Sequence, residues 1–339
     1  MKRRILQIGP YSAVGGVSIH IKRLSSLLKE HHNFTFIDES PRTNDTAEVF
    51  NLRSKNFLKY FKLLNKAEII HIHTGILWLQ CLHIFLAYIL RKKVIVTIHS
   101  LSNLNNKFSI RISEKFLALA SKTIFVSDEI SRKFNLKNKV VIHAFIPPDT
   151  AVEEELPKEV LNILEKNKDK RIIVNNAFKL VLYNKQDLYG LDLLLDVARF
   201  IKRDHKNYKI IFVVASMDEK LNLYDQYVQI IKDENLEEQI SLIPYPISFV
   251  KLMMSSDLVV RATNTDGDAL TVREALFLKK PIIASDVTLR PEGTILFTNR
   301  DSQDLYLKIN AVLDKNIQTK GTVLNNTKSF YLNRFSDIY

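Results

Sequence analysis

Two carboxylates eight positions apart, Asp266 and Glu274, flank a stretch that reads as the start of a helix. A polar loop holds Asp266-Gly267-Asp268, and the helix is expected from about Ala269. Exposed N–H groups at a helix start attract an anion such as a diphosphate, and flanking carboxylates can accept hydrogen bonds from sugar and ribose hydroxyls. Taken alone, the pair fits equally well an acidic first turn that stabilises its own helix dipole by ~0.3–1 kcal/mol. Gly15-Gly16-Val17 opens an earlier helix, where two glycines allow close backbone approach to a phosphate. Its spacing departs from the dinucleotide fingerprint, and a plain tight turn explains it as readily. In His71-Ile72-His73 two imidazoles fall on one side of a strand, the spacing of a metal pair. No third ligand is evident, so no metal is expected. His73, at a strand end beside Gly75, could touch a substrate or serve only as a structural hydrogen-bonding group. His20, His31, His32, His83, His143 and His205 suggest no role, and neither a nucleophile elbow nor a Walker loop is present.

These residues need elements to position them. Short apolar runs (Arg4–Gly9, Ile69–His73, Val94–His99) alternate with amphipathic stretches (Val17–Leu28, Phe57–Lys66), the pattern of α/β units on a parallel sheet. Pro147-Pro148 and Glu153-Glu154-Glu155 interrupt the pattern, and a second α/β series follows. The expected organisation is an N-terminal domain over 1–148, a linker over 149–168, a C-terminal domain over 169–315, and a tail over 316–339 that packs back toward the N-terminal domain. The fold class is α/β, with two Rossmann-like domains facing each other across a cleft, the default ligand site. Thr74–Leu90 carries no formal charge, but it is short for a membrane span and contains Gln80 and His83. A buried helix over Ile76–Leu90, between two sheet strands, is expected instead.

Composition excludes several classes. The chain has 339 residues, 46% hydrophobic and 25% charged, the make-up of a globular protein. A lone cysteine, Cys81, fits a reducing compartment, and Ile5–Ile8 after the basic start is too short for a signal-peptide core. The net charge of +12 is lopsided. Residues 1–150 hold 23 Lys/Arg against 10 Asp/Glu, whereas the remainder holds 26 against 27. In the basic half, Leu52–Lys66 places Phe57, Leu58, Phe61 and Leu64 on one stripe with Arg53, Lys55, Lys59, Lys62 and Lys66 around it. Such a helix can lie on an anionic membrane, or pack normally with a solvated charged face. Lys107, Arg111 and Lys115 could extend the patch. Nucleic acid is not expected as a partner, because the aromatics follow a helix stripe and no recognition motif is present.

Several motifs, in order along the chain from about residue 5 to 315, resemble those of retaining, GT-B-fold glycosyltransferases of the family 4 type. Asp266-Gly267-Asp268-Ala269, Glu274-Ala275-Leu276 and Lys280-Pro281-Ile282-Ile283-Ala284-Ser285 resemble the carboxylate–seven residues–carboxylate region. Gly15-Gly16-Val17 matches the family's first loop, and Thr97-Ile98-His99 and Glu68-Ile69-Ile70-His71-Ile72-His73 match two strand ends. Tyr189-Gly190-Leu191-Asp192, Phe125-Val126-Ser127 and Arg290-Pro291-Glu292-Gly293 also have counterparts.

The resemblance implies a nucleotide-sugar donor, with a UDP-sugar favoured, on the C-terminal domain and a saccharide or lipid-linked acceptor on the N-terminal one. It implies that Glu274 binds the ribose and Asp266 the transferred sugar, with His99 beside the reacting centre. The amides of Gly16, Leu270 and Thr271 would face the diphosphate, Gly15 and the Gly267–Asp268 loop would line the donor, and Pro244–Tyr245 would seat the base. No cofactor or metal is implied, the nucleotide sugar being a substrate. The chain departs from the pattern in one respect: the family's diphosphate-neutralising Arg and Lys fall near Asn176/Ala177 and Tyr189. Lys179, Lys185, Arg261, Arg273 and Arg290 are the candidate replacements, Arg261 and Arg290 foremost. The resulting expectation is a cytoplasmic transferase, peripheral on the inner face of the cell membrane and acting in cell-surface polysaccharide or glycolipid synthesis. A GT-B sugar-nucleotide epimerase or a non-catalytic nucleotide-sugar-binding subunit is the alternative.

Overall fold

Strands such as Ile69–Ile72 and Tyr208–Val214 are buried along their whole length, as a parallel sheet covered by helices on both faces requires. The computed structural model describes residues 2–13, 15–41, 46–100, 107–217, 222–266, 269–315 and 328–339. The chain divides into two units, Met1–Ile146 with Asn326–Tyr339, and Pro147–Asn325. Each is a Rossmann-like layer of helices about a parallel sheet.

In the first unit the elements run β1 (Arg3–Gly9), α1 (Gly16–Leu28), β2 (His32–Asp38), β3 (Val49–Asn51), α2 (Phe57–Lys66), β4 (Ile69–Ile72), α3 (Leu77–Ile89), β5 (Lys93–Ile98), α4 (Lys107–Leu117), β6 (Lys122–Phe125), α5 (Asp128–Arg132) and β7 (Lys139–Val141). The sheet order is β3-β2-β1-β4-β5-β6-β7, parallel throughout. Strand order reverses between β1 and β4. Ligands of such sheets bind beyond the carboxyl ends of the strands at that point, where His73 and His99 follow β4 and β5.

In the second unit the order along the chain is α6 (Lys158–Lys166), β8 (Arg171–Ala177), a two-strand hairpin β9 (Leu182–Tyr183) and β10 (Gln186–Asp187), α7 (Leu191–Arg203), β11 (Tyr208–Val214), α8 (Leu223–Asp233), β12 (Ile240–Ile243), α9 (Phe249–Met254), β13 (Leu258–Arg261), α10 (Leu270–Phe277), β14 (Ile282–Ser285), β15 (Ile295–Phe297) and α11 (Ser302–Lys315). Its sheet order β12-β11-β8-β13-β14-β15 reverses between β8 and β13, placing the β13–α10 loop at the switch point. Helix α12 (Lys328–Ser336) belongs to the first unit, where Tyr331, Phe335 and Tyr339 join the core formed by Ile5, Leu24, Leu28 and Ile95.

Two expectations are corrected. Residues 158–166, assigned to a linker, form helix α6, whose Val160 is buried in the second unit's core with Leu156. The apolar period at Val160, Ile163 and Leu164 explains why this stretch packs. Helix α3 is not buried all round. Leu79, Cys81, Ile84 and Ala87 face the core, while Trp78, Leu82, Phe85, Tyr88 and Ile89 are exposed. A helix apolar on every face needs two partners, and here one side meets the sheet and the opposite side meets solvent. Among the described residues no helix is long and apolar enough to cross a membrane.

The start of α7 is fixed by an exact fit. Gly190 has φ 74°, and a Cβ there would lie 2.2 Å from the Ala262 carbonyl oxygen at the end of β13. Asp187 Oδ1 accepts the N–H groups of Tyr189 (2.7 Å) and Gly190 (2.8 Å), and the Tyr227 hydroxyl donates to Oδ2 at 3.0 Å. Gly190→Ala therefore meets left-handed strain and a backbone overlap together. It is expected to destabilise the second unit by at least ~2 kcal/mol, read as a fall in its urea midpoint.

Candidate functional site

The β13–α10 loop gathers charge that the sequence scatters. Asp266 is clamped by two guanidiniums. Arg261 Nε and Nη2 donate to Oδ2 and Oδ1 at 3.0 and 3.3 Å, and Arg290 Nη1 donates to Oδ2 at 3.0 Å. The Thr263 hydroxyl adds a third donor to Oδ2 at 3.0 Å. Arg290 is the inner member, its side chain only 2% exposed. It also donates to the Ser285 carbonyl at 3.1 Å and to the Ser285 and Thr263 hydroxyl oxygens at 3.3 and 3.4 Å. Arg261 reaches the Asn176 carbonyl at 3.5 Å and lies 5.3 Å over the Tyr189 ring. Burial pushes the Asp266 carboxyl up, but Arg261 and Arg290 outweigh it and hold it below its usual 3.8.

Arg290 thus spends its charge on Asp266 and shapes that carboxylate, and Arg261 is the more open of the two arginines. Within the trio two cations face one anion, leaving one positive charge. Helix α10 begins beside the same loop. Ala269 precedes it without a side-chain cap, and its first turn carries no acid. The N–H groups of Leu270 and Thr271 lie in that first turn, at the end of the helix whose dipole favours an anion. Asp266 lies outside the helix and Glu274 is its fifth residue, so neither of this pair forms an acidic first turn. Glu274 is buried, and the Thr271 hydroxyl donates to Asn176 Oδ1 at 3.3 Å across the switch point.

The remaining expected donor residues are more dispersed. Lys179 follows β8 and is half-buried; exposed Pro244 and half-buried Tyr245 follow edge strand β12. Gly267 and Asp268 lie outside the described residues. Gly15 and Gly16 belong to the first unit, where Gly15 has φ 142° and precedes α1, again with no side-chain cap and no acid in the first turn.

The first unit also holds a buried histidine network. His73 Nε2 bonds Gln7 Oε1 at 2.7 Å, and His73 Nδ1 lies 3.1 Å from His99 Nε2. His71 bonds Thr97 Oγ1 at 2.7 Å with one nitrogen and the Tyr339 hydroxyl with the other. Both nitrogens of His71 therefore have hydrogen-bond partners, and His71 offers no free donor to a metal pair with His73. Burial, reinforced by neighbouring imidazoles, pulls His71, His73 and His99 well below 6.5, so all three rings are neutral at pH 7. His20, on α1, lies among them, its ring 5.0 Å from His99 and 5.6 Å from His73. Sequence reasoning passed over His20, Thr263, Ser285 and Asp187. For Thr263 and Ser285 a signal did exist, since they lie at the carboxyl ends of the neighbouring strands β13 and β14.

Three comparisons with known proteins bear on these sites. Residues 14–149 match the family model Glycosyltransferase Family 4. The poly(ribitol-phosphate) alpha-N-acetylglucosaminyltransferase of Staphylococcus aureus (strain COL) is 29% identical over 133 residues, covering 38% of this chain. The match spans only 25% of that relative's length. A solved glycosyltransferase from Rickettsia africae ESF-5 superposes with a TM-score of 0.70 at 18% identity, covering 100% of this chain and 98% of that one. Anabaena Alr3699/HepE, solved in complex with UDP and glucose, gives 0.68 at 16% identity, covering 99% and 97%. At such identities the superpositions establish the fold, which is GT-B. The family match falls almost entirely within the first unit, and the superpositions extend the likeness of fold to the whole chain.

Asp266→Asn tests the clamp. It leaves two buried arginines facing a neutral amide, so a loss of about 3–5 kcal/mol is expected at pH 7. A carboxyl held below 3.8 in the fold stabilises fully above that value and loses its contribution as pH falls through the folded one. The gap between wild type and variant in urea midpoint should therefore narrow in acid. A gap of constant size would mean Asp266 carries no such charge.

Proposed function

With a family 4 glycosyltransferase domain in a GT-B fold, this chain is, we propose, a retaining glycosyltransferase that moves a sugar from a UDP-sugar to a saccharide or lipid-linked saccharide acceptor. The observation that carries this reading is the Asp266–Arg261–Arg290 clamp beside the uncapped start of α10. A nucleoside diphosphate leaving group needs positive potential that is already in place when its charge develops. The amides of Leu270 and Thr271 and the guanidinium of Arg261 supply it. Asp266, held ionised and oriented by Arg290, accepts a hydroxyl of the transferred sugar, and Glu274 accepts the ribose hydroxyls. Arg290 is a positioning residue. The neutral ring of His99 can donate to or accept from the reacting sugar. UDP is favoured because HepE is solved with UDP and with UDP-glucose.

The reaction has a balanced course. The acceptor oxygen attacks the anomeric carbon on the face the diphosphate leaves, the bond from that carbon to the phosphate oxygen breaks, and the acceptor proton passes to the departing β-phosphate. Both configuration and proton count are kept without an enzyme nucleophile. A panel of UDP-, GDP- and ADP-sugars, with and without lipid-linked acceptors, should yield nucleotide from a UDP-sugar. Glu274→Gln should reduce that release by about a hundredfold while leaving the fold intact. Silence across the whole panel would overturn the reading.

The acceptor is proposed to be presented at an anionic membrane on the cytoplasmic side. Of the apolar stripe on α2, only Leu64 faces the core, while Phe57, Phe61 and Leu58 (86% exposed) point outward, with Lys62 and Lys66 exposed on the same helix. The Tyr60 hydroxyl bonds His83 Nδ1 at 2.7 Å, tying α2 to α3, whose outward face carries Trp78, Phe85 and Tyr88. Apolar side chains of this size among cations suit the headgroup boundary of anionic lipid. Trp78 is the chain's one tryptophan and is 68% exposed, so insertion should blue-shift the protein's emission. Vesicles rich in phosphatidylglycerol should produce the shift, neutral ones much less, and Leu58→Asp should weaken binding at least tenfold. Identical emission with and without anionic vesicles would remove the membrane from the proposal.

A further inference from the structure

We propose that His20, His73 and His99 form a three-imidazole site for a divalent transition-metal ion of the zinc class, built within the first unit. One nitrogen from each ring falls in a set whose members all lie within 4.8 Å of one another. An ion about 2.1 Å from each nitrogen needs them about 3.5 Å apart, so small side-chain movements close the set.

The hydrogen bonds decide which nitrogens are available. His20 Nδ1 lies 2.8 Å from the Ala144 carbonyl, which can only accept, so the ring's proton sits on Nδ1. Its Nε2 is then a bare lone pair, and it is buried with no hydrogen-bond partner among the described residues. An unsatisfied buried acceptor of this kind is costly unless something binds it. For His73, Gln7 turns its amide N–H₂ to the Tyr339 hydroxyl at 3.1 Å and its Oε1 to His73 Nε2, so the proton sits on Nε2. His73 Nδ1 is thus a second lone pair, facing His99 Nε2. His99 completes the set by shifting its proton from Nε2 to Nδ1. Each inner ring has its other nitrogen anchored by a carbonyl-type oxygen, the arrangement that orients and strengthens metal-bound imidazoles. Burial keeps all three neutral at pH 7, His20 being pulled down to about 4, so protons do not compete with the ion.

The metal reading of His71-Ile72-His73 lacked a third ligand because it paired the wrong residue. His73 has its partners on α1 and at the end of β5. Three neutral ligands leave the ion its full charge and an open position for water or an anion. An ion bound to His99 Nε2 also withdraws that nitrogen from the sugar, so loading would inhibit transfer. This last consequence rests on the transferase reading, whereas the binding does not.

Metal-stripped full-length protein titrated with Co²⁺ should develop visible ligand-field bands that saturate at one equivalent and are displaced by Zn²⁺. His20→Asn and His99→Gln should each weaken Co²⁺ binding at least tenfold. His205→Asn, on an exposed residue of the second unit, should leave it unchanged. Circular dichroism checks folding; should His20→Asn misfold, the half-buried His99 decides through its own variant. Absence of saturable bands, or bands of equal strength in a folded variant, would overturn the site whatever the sugar-transfer assay reads. Binding without loss of transfer would leave the site standing and remove only the inhibition.

Discussion

Among the described residues the buried guanidinium of Arg290 is met by Asp266 and the oxygens around it, and the β13–α10 loop is arranged about that pairing. A guanidinium 2% exposed cannot be left unpaired, since uncompensated burial of a charge is among the most expensive things a fold can contain. Asp266 answers it, Thr263 and Ser285 take up the remaining donors, and Arg261 shares the same carboxylate from the end of β13. The loop before α10 is therefore held both from the end of β13 and from the β14–β15 connection. Asp266 keeps one geometry without a helix of its own, its carboxylate engaged by Arg261, Arg290 and Thr263.

The parallel sheets were legible because buried strands must be continuously apolar and the helices between them must carry a stripe; Ile69–Ile72 and Leu191–Arg203 show each plainly. Asp266 and Glu274 could be singled out from their spacing about a helix start. What Asp266 touches could not, since Arg290 lies 24 positions away and only the β13–β14 pairing brings it near. The same limit hid His20. It sits on a helix among apolar residues, and its nearness to His73 and His99 follows from α1 packing across β1, β4 and β5, which no local pattern announces. Short elements such as the β9–β10 hairpin were missed because two-residue strands have no period to read.

Helix α3 marks the opposite failure. Its composition suggested full burial, yet hydropathy reports affinity for an apolar environment without saying that the protein itself supplies one. The core takes one side through Leu79, Ile84 and Ala87; the other leaves Trp78, Leu82, Phe85, Tyr88 and Ile89 exposed. On α2, exposed Phe57, Leu58 and Phe61 share a helix with exposed Lys62 and Lys66, which a sum of charge over the sequence cannot reveal.

Helix α12 returns to the first unit after the whole of the second has been traversed, and this bears on the order of assembly at the ribosome. Ile5, Leu24, Leu28 and Ile95 are covered by Tyr331, Phe335 and Tyr339, which emerge last. Until then that face of the seven-strand sheet is covered only in part, by Leu24 and Leu28 of α1, and the second unit, whose residues are contiguous in the chain, can close its own core first. The half synthesised earliest is thus the half completed latest, and for that interval its nascent form depends on chaperones or on speed to keep its uncovered strands from other chains.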